Sequence, residues 1–244
     1  MEDKILKVRD LGIKFSGNDI LKNVNFDLDQ GSMTAVIGPN GAGKTVLFKT
    51  LLGIDPYKKI HSGTVEWKRG IKIGYVPQKF NVDVDVPITV RDFFKLKTDK
   101  EELIYSAIKT LVDHDEHHIK HHLLDKRFGV LSGGQQQKML IAWAILNDPD
   151  VLLFDEPTTG VDVGGEADVY RLLKKLNEEK KITIMFISHD LNVIGGYADN
   201  VLCVNKEMVC WGAPDTVNKE TLEKLYGTNT SLYTHEHKHE DGNH

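Results

Sequence analysis

An α/β fold with a largely parallel sheet is the class this sequence predicts, and three observations carry the prediction. Short, mostly apolar runs at Met33–Ile37, Val151–Phe154 and Ile182–Ile187 read as strands buried on both faces. Between the last two, Ala167, Tyr170, Leu173 and Leu176 recur at helical spacing. A glycine-rich turn comes directly after the first run, and turns of that kind join a strand to a helix in such sheets.

The chain opens with a different pattern. Leu6, Val8, Leu11, Ile13 and Phe15, then Val24, Phe26 and Leu28, alternate with polar residues. Period two with one apolar face predicts antiparallel strands, joined through Ser16-Gly17-Asn18-Asp19. After Met33–Ile37 a helix is expected to begin inside the glycine-rich turn and to stop at Gly53. A further strand is expected at Ile71–Val76. From there to residue 146 the pattern is helical, without a long β-like run. The expected organisation is one domain over 1–232, with a core of 1–78 and 147–232 and a helical subdomain inserted at 79–146. The segment 233–244 is polar and histidine-rich and reads as a flexible tail.

Composition narrows the classes. The 244 residues carry 36 acidic and 31 basic side chains, a net charge of −5 that disfavours broad nucleic-acid binding. No apolar run approaches the roughly 20 residues of a membrane-spanning helix. Met1-Glu2-Asp3-Lys4 lacks the basic-then-apolar layout of a secretory signal. The two cysteines, Cys203 and Cys210, lie in apolar segments that read as neighbouring strands, Val201–Val204 and Met208–Trp211. Buried thiols in a reducing cytosol are the expectation, although a disulfide is geometrically conceivable.

The glycine-rich turn carries chemistry. Gly38-Pro39-Asn40-Gly41-Ala42-Gly43-Lys44-Thr45 matches G-x-x-x-x-G-K-[ST] in full, between a strand and a helix that continues through Val46. Backbone N–H groups of such a loop surround a phosphate without side-chain obstruction, and the helix N-terminus adds partial positive charge. Lys44 supplies a full charge to the β- and γ-phosphates, and the Thr45 hydroxyl suits Mg²⁺. In Val151-Leu152-Leu153-Phe154-Asp155-Glu156-Pro157 a buried strand ends in two carboxylates, at the tip where open α/β sheets bind ligands. Asp155 is expected to hold Mg²⁺, and Glu156 to polarise the attacking water as general base. The implied fold class is a P-loop NTPase (RecA-like) core, with an antiparallel β subdomain before it and an α-helical insertion within it.

Phosphate loops serve many machines, and Leu131-Ser132-Gly133-Gly134-Gln135 separates them. With this segment the chain resembles the ABC ATPase family over residues 1–230, its motifs falling in the family's order. Ser-Gly-Gly opens a helix to about Asn147, a second anion-binding N-terminus. The resemblance implies a homodimer with two sandwiched ATP molecules. In it, Ser132 and Gly134 of one subunit, flanked by Gly133 and Gln135, meet the γ-phosphate on Lys44 of the other. It implies further that Phe15 stacks on adenine, where the family more often has tyrosine, and that Gln78 contacts the metal or attacking water. His189 would contact the γ-phosphate, and Asp162 would reach across the dimer. Val161 departs from the leucine common in Thr159-Gly160-Val161-Asp162.

Single-cassette chains of this kind resemble the ATPase subunits of importers, which implies a permease, an extracytoplasmic solute-binding protein and a peripheral place on the cytoplasmic membrane face. Residues 78–90 and Gly160-Val161-Asp162-Val163 are similar to the subfamily that imports zinc or manganese. Other cargoes, or a soluble role on ribosomes or DNA, are the alternatives. The latter usually needs two fused cassettes or a coiled-coil insertion, and the intact Lys44, Asp155, Glu156 and His189 disfavour a non-hydrolysing module.

Histidine placement is separate. His114, His117, His118, His121 and His122 fall on one face of an expected helix, and His235, His237 and His239 alternate in the tail. Both read first as solvated. Pairs four apart are nonetheless spaced to bridge a transition metal, and the tail suits weak zinc buffering.

Overall fold

The computed structural model describes residues 3–56, 61–78, 80, 82–112, 115–156 and 163–227. Among these residues, nine strands form one sheet. They are β1 (Lys4–Phe15), β2 (Asn18–Asp29), β3 (Met33–Ile37), β4 (His61–Trp67), β5 (Ile73–Val76), β6 (Val151–Phe154), β7 (Thr183–Ile187), β8 (Asn200–Asn205) and β9 (Glu207–Gly212). Their spatial order is β4-β1-β2-β9-β8-β3-β7-β6-β5.

The predicted N-terminal pair forms as a tight hairpin. Phe15 pairs with Asn18, leaving Ser16 and Gly17 as the two-residue turn. Both have positive φ (48° and 81°), the conformation that matches the twist of the flanking strands. The sequence reading missed β4, an edge strand that pairs antiparallel with β1 from Leu6–Trp67 to Ile13–His61.

β8, β3, β7, β6 and β5 run parallel. Alternate residues of the buried strands serve opposite faces. Val151, Leu153, Met185 and Ile187 join one apolar cluster with Leu47, Phe48 and the inner residues of β1 and β2. Leu152, Phe154, Ile184 and Phe186 join the other. That second cluster continues into the segment after β5, through Phe93, Phe94, Ile108, Phe128, Met139 and Ile145.

The helices are α1 (Lys44–Leu51), α2 (Val90–Lys95), α3 (Glu101–Lys109), α4 (Glu116–His118), α5 (Gly133–Ile145), α6 (Val163–Lys180), α7 (Leu191–Tyr197) and α8 (Lys219–Tyr226). Among the described residues no strand lies between β5 and β6, as the helical pattern predicted. No helix among them is long and apolar enough to cross a membrane.

Two expectations need correction. The single histidine-bearing helix is only one α-turn, α4, which passes into a π-turn over Ile119–Leu123. His114 lies outside the described residues. The expected thiols are instead a disulfide between Cys203 and Cys210, with Cα atoms 4.7 Å apart. Its cause is a bulge. Asn205 pairs with Glu207 and Val204 with Met208, a register that would set Cys203 against Val209. A register shift between Cys203 and Val204 puts Cys203 opposite Cys210 instead.

Candidate functional site

Strand order builds the site. β7 lies between β3 and β6, and β5 lies beyond β6. All four run the same way, so the residues just past each C-terminal end gather at one edge of the sheet. β3 delivers the phosphate loop, β7 delivers His189, β6 delivers Asp155 and Glu156, and β5 delivers Gln78.

Backbone space fixes the loop's glycines. Gly38 has φ 155°, and a Cβ there would stand 1.9 Å from the Val204 carbonyl oxygen of β8. Gly43, which precedes α1, has φ 96° and would bring a Cβ within 2.7 Å of Leu21. The loop therefore lies against β8 on one side and β2 on the other. The β8–β9 turn adds a hydrogen bond from Lys206 N–H to the Ala42 carbonyl at 3.2 Å. Within the loop, Ala42 N–H donates to the Pro39 carbonyl at 3.2 Å, while Asn40 and Gly41 stay exposed. The Lys44 side chain is only 6% exposed and donates to the carbonyls of Gly38 (2.8 Å) and Pro39 (3.0 Å). Burial pulls its ammonium below the usual lysine range, against the opposing attraction of Glu156 and Asp155. Val46, in the first turn of α1, accepts a hydrogen bond from Thr50 at its carbonyl and packs against the core.

Asp155 faces the start of α1. Thr45 Oγ1 donates to Asp155 Oδ1 at 3.1 Å, and the Tyr75 hydroxyl donates to Oδ2 at 3.4 Å. Burial raises the Asp155 carboxyl above its ordinary value, and Glu156 adds to the rise. The Thr45 and Tyr75 hydrogen bonds oppose it. Burial, and then Asp155, also raise the Tyr75 phenol. Sequence reasoning missed Tyr75. The available signal was a hydroxylated aromatic three residues before Gln78, in an otherwise apolar strand.

Glu156 is held from both neighbouring strands. His189 Nε2, from the end of β7, lies 3.0 Å from Oε1. Gln78 Nε2, from the end of β5, donates to Oε2. The Glu156 backbone has φ 49°, a left-handed conformation that costs a non-glycine residue about 1–3 kcal/mol and persists where the surroundings enforce it. A carboxylate oriented at both oxygens beside a buried lysine and a hydroxyl–carboxylate pair suits phosphate chemistry. The hard oxygen donors of Thr45 and Asp155 fit Mg²⁺.

Other predicted residues lie apart from this centre. Phe15 ends β1 and is 52% exposed, so it is not a core phenylalanine. Ser132 caps α5, and it exchanges hydrogen bonds with Gln135. Ser132 Oγ accepts from Gln135 N–H at 3.3 Å, and Gln135 Oε1 accepts from Ser132 N–H at 3.1 Å. Ser132, Gly133 and Gln135 are exposed, and a Cβ on Gly134 would meet open space. Asp162 lies outside the described residues, as do His235, His237 and His239.

The ABC transporter family model matches residues 21–159. Zinc import ATP-binding protein ZnuC 1 of Hahella chejuensis is 37% identical, over 92% of this chain and 84% of its own length. ZnuC of Pasteurella multocida is also 37% identical, over 96% of this chain and 88% of its own. Among solved structures, cbiO1 from Clostridium perfringens, part of the ABC transporter complex cbiONQ, superimposes with a TM-score of 0.72 at 29% identity, covering 92% of this chain and 95% of that one. A dimeric bacterial ABC transporter cassette gives a TM-score of 0.68 at 26% identity, over 86% and 98%.

Proposed function

The chain belongs to the ABC transporter family as an ATP-hydrolysing subunit, and from that premise we propose that it powers import of a divalent transition metal, zinc first. The observation that carries the reading is the meeting of Gln78 and His189 on Glu156, beside Lys44 and the Thr45–Asp155 pair. The cargo rests on the likeness to zinc import ATP-binding proteins across nearly the whole chain.

In this reading Lys44 and the backbone N–H groups of Gly38–Thr45 bind the phosphates of ATP, and the exposed Phe15 ring covers the adenine. Thr45 and Asp155 would hold Mg²⁺, with Gln78 adjoining, and the cation would neutralise charge on the β- and γ-phosphates. Glu156 orients the attacking water and takes its proton. His189 fixes the Glu156 carboxylate and contacts the γ-phosphate. Gln78 reports that contact to the helical segment 79–146, a subdomain within a core of 1–78 and 147–232. Phe80, two residues on, packs with Phe93 and Phe128 at ring-centroid distances of 5.2 and 5.6 Å, which ties the Gln78 loop to that segment. A second copy closes the site with Ser132–Gln135 and Asp162. A membrane permease at the cytoplasmic face, fed by a solute-binding protein, would be the driven partner.

Reconstitution of the chain with the permease and binding protein that co-purify with it tests this proposal. ATPase activity rising with zinc-loaded binding protein is expected. Stimulation by a non-metal solute and none by zinc, manganese or iron would refute the cargo while leaving the ATPase intact.

A further inference from the structure

The π-turn that interrupts the histidine segment changes which rings meet. Its mark is the Leu124 N–H, which donates five residues back to the Ile119 carbonyl at 3.0 Å. Ile119, Leu123 and Leu124 are 0, 5 and 1% exposed in the core of the helical segment, so the opposite face is fixed toward solvent. In an α-helix, at 3.6 residues per turn, position i+5 points about 140° away from i. Winding at roughly 4.4 residues per turn puts i+4 and i+5 on either side of i instead.

His117 accordingly faces two partners. Its ring centroid is 4.7 Å from that of His121 and 5.8 Å from that of His122, and His118 stands 5.3 Å from His122. Two imidazoles sharing one tetrahedral ion, with metal–nitrogen bonds of about 2.0–2.1 Å, have centroids about 5 Å apart. The spacing is therefore that of a chelate. The ring planes are tilted by 42° and 54°, an angle that rotation about a metal–nitrogen bond leaves free. Among the described residues no group of three or more ligand side chains is converged as it stands. His117, His121 and His122 are exposed, so their side-chain bonds can turn in solvent. The adjacent cation, Lys120, is paired with Glu116 at 2.5 Å.

We propose that His117, His121 and His122 form a surface site for one imidazole-selecting divalent cation of the zinc, nickel or copper class. The site is separate from the nucleotide site and does not depend on the cargo assigned above. Imidazole ligands discriminate against Mg²⁺, so the two sites need not compete. A bound cation joins positions i, i+4 and i+5 and so holds the π-wound form, which raises stability by mass action.

Zinc titration of the full-length chain against a chromophoric chelator tests the site, with thermal unfolding as a second readout. Three variants are compared with the parent: His117→Ala/His121→Ala/His122→Ala, the single His122→Ala, and His235→Ala/His237→Ala/His239→Ala. The tail variant should keep one zinc equivalent and its zinc-induced rise in Tm. The cluster variant should lose both, while its metal-free Tm and MgATP hydrolysis stay at parental values. His122→Ala should weaken zinc binding at least tenfold. Parental zinc binding by the cluster variant, or loss confined to the tail variant, would overturn the site. Parental affinity in His122→Ala would overturn the role of the π-turn by reducing the site to an ordinary i, i+4 pair.

Discussion

His189 meets Glu156 at 3.0 Å from one side while Gln78 donates to the other carboxylate oxygen. β6, which carries Glu156, lies between the two strands that supply those partners. A carboxylate fixed at both oxygens keeps its direction as substrate arrives, which a general base requires.

Glu156→Gln keeps the shape and the capacity to bond with Gln78 and His189, but removes the basic oxygen. Turnover should fall by about 10²–10⁴-fold, the usual range for a positioned base. ATP should then hold two chains together, visible as a dimer peak in size exclusion. Near-normal turnover would remove Glu156 from the role of base.

Lys44→Ala should lower ATP affinity by about 10- to 150-fold, the worth of a charged hydrogen bond of about 1.5–3 kcal/mol. Equilibrium binding of a fluorescent ATP analogue measures it. Circular dichroism checks that the loop carbonyls of Gly38 and Pro39, which lose their donor, have not unfolded the chain. Unchanged affinity would count against the phosphate-loop assignment.

Asp155→Asn separates stability from function. Burial raises the native carboxyl above its unfolded value, so the native state holds its proton to higher pH than the unfolded chain does. Stability linked to Asp155 is complete below the unfolded value, and is lost as pH rises through the native one. At neutral pH the nucleotide-free Asn variant should therefore melt higher. A gain on the order of 2–4 °C would correspond to about 1 kcal/mol in a chain of this size. Its advantage should vanish toward acid pH, and it should bind MgATP poorly. Scanning calorimetry at several pH values checks the sign, and a lower Tm at neutral pH would contradict it.

Phe15→Ala should weaken ATP binding by about 1–3 kcal/mol, the usual worth of stacking a base on an aromatic ring. Because the side chain is 52% exposed, Tm should change little. A large loss of Tm with unchanged ATP affinity would make Phe15 a packing residue.

Much of this molecule was legible because its signals are local. The phosphate loop lies between a strand and a helix as read, and the Met33–Ile37 and Val151–Phe154 strands have the predicted bounds. Composition at a strand or helix end is enough for such features, since each depends on a few consecutive backbone conformations. Edge strand β4 escaped because its stability comes from pairing with β1, some 50 residues away in sequence, rather than from an apolar run of its own.

The glycine-rich turn that predicted an α/β fold was determined by sequence alone, as were the two carboxylates at the tip of β6. Only the tertiary structure decided that β7 lies between β3 and β6, which carries His189 to Glu156 and Thr45 to Asp155. It also decided the bulge that joins Cys203 to Cys210 and the π-turn that gives His117 two neighbours. These outcomes depend on strand order, register and helical winding. Each is a choice among backbone hydrogen-bonding schemes that every residue type can satisfy, settled by packing across the whole chain.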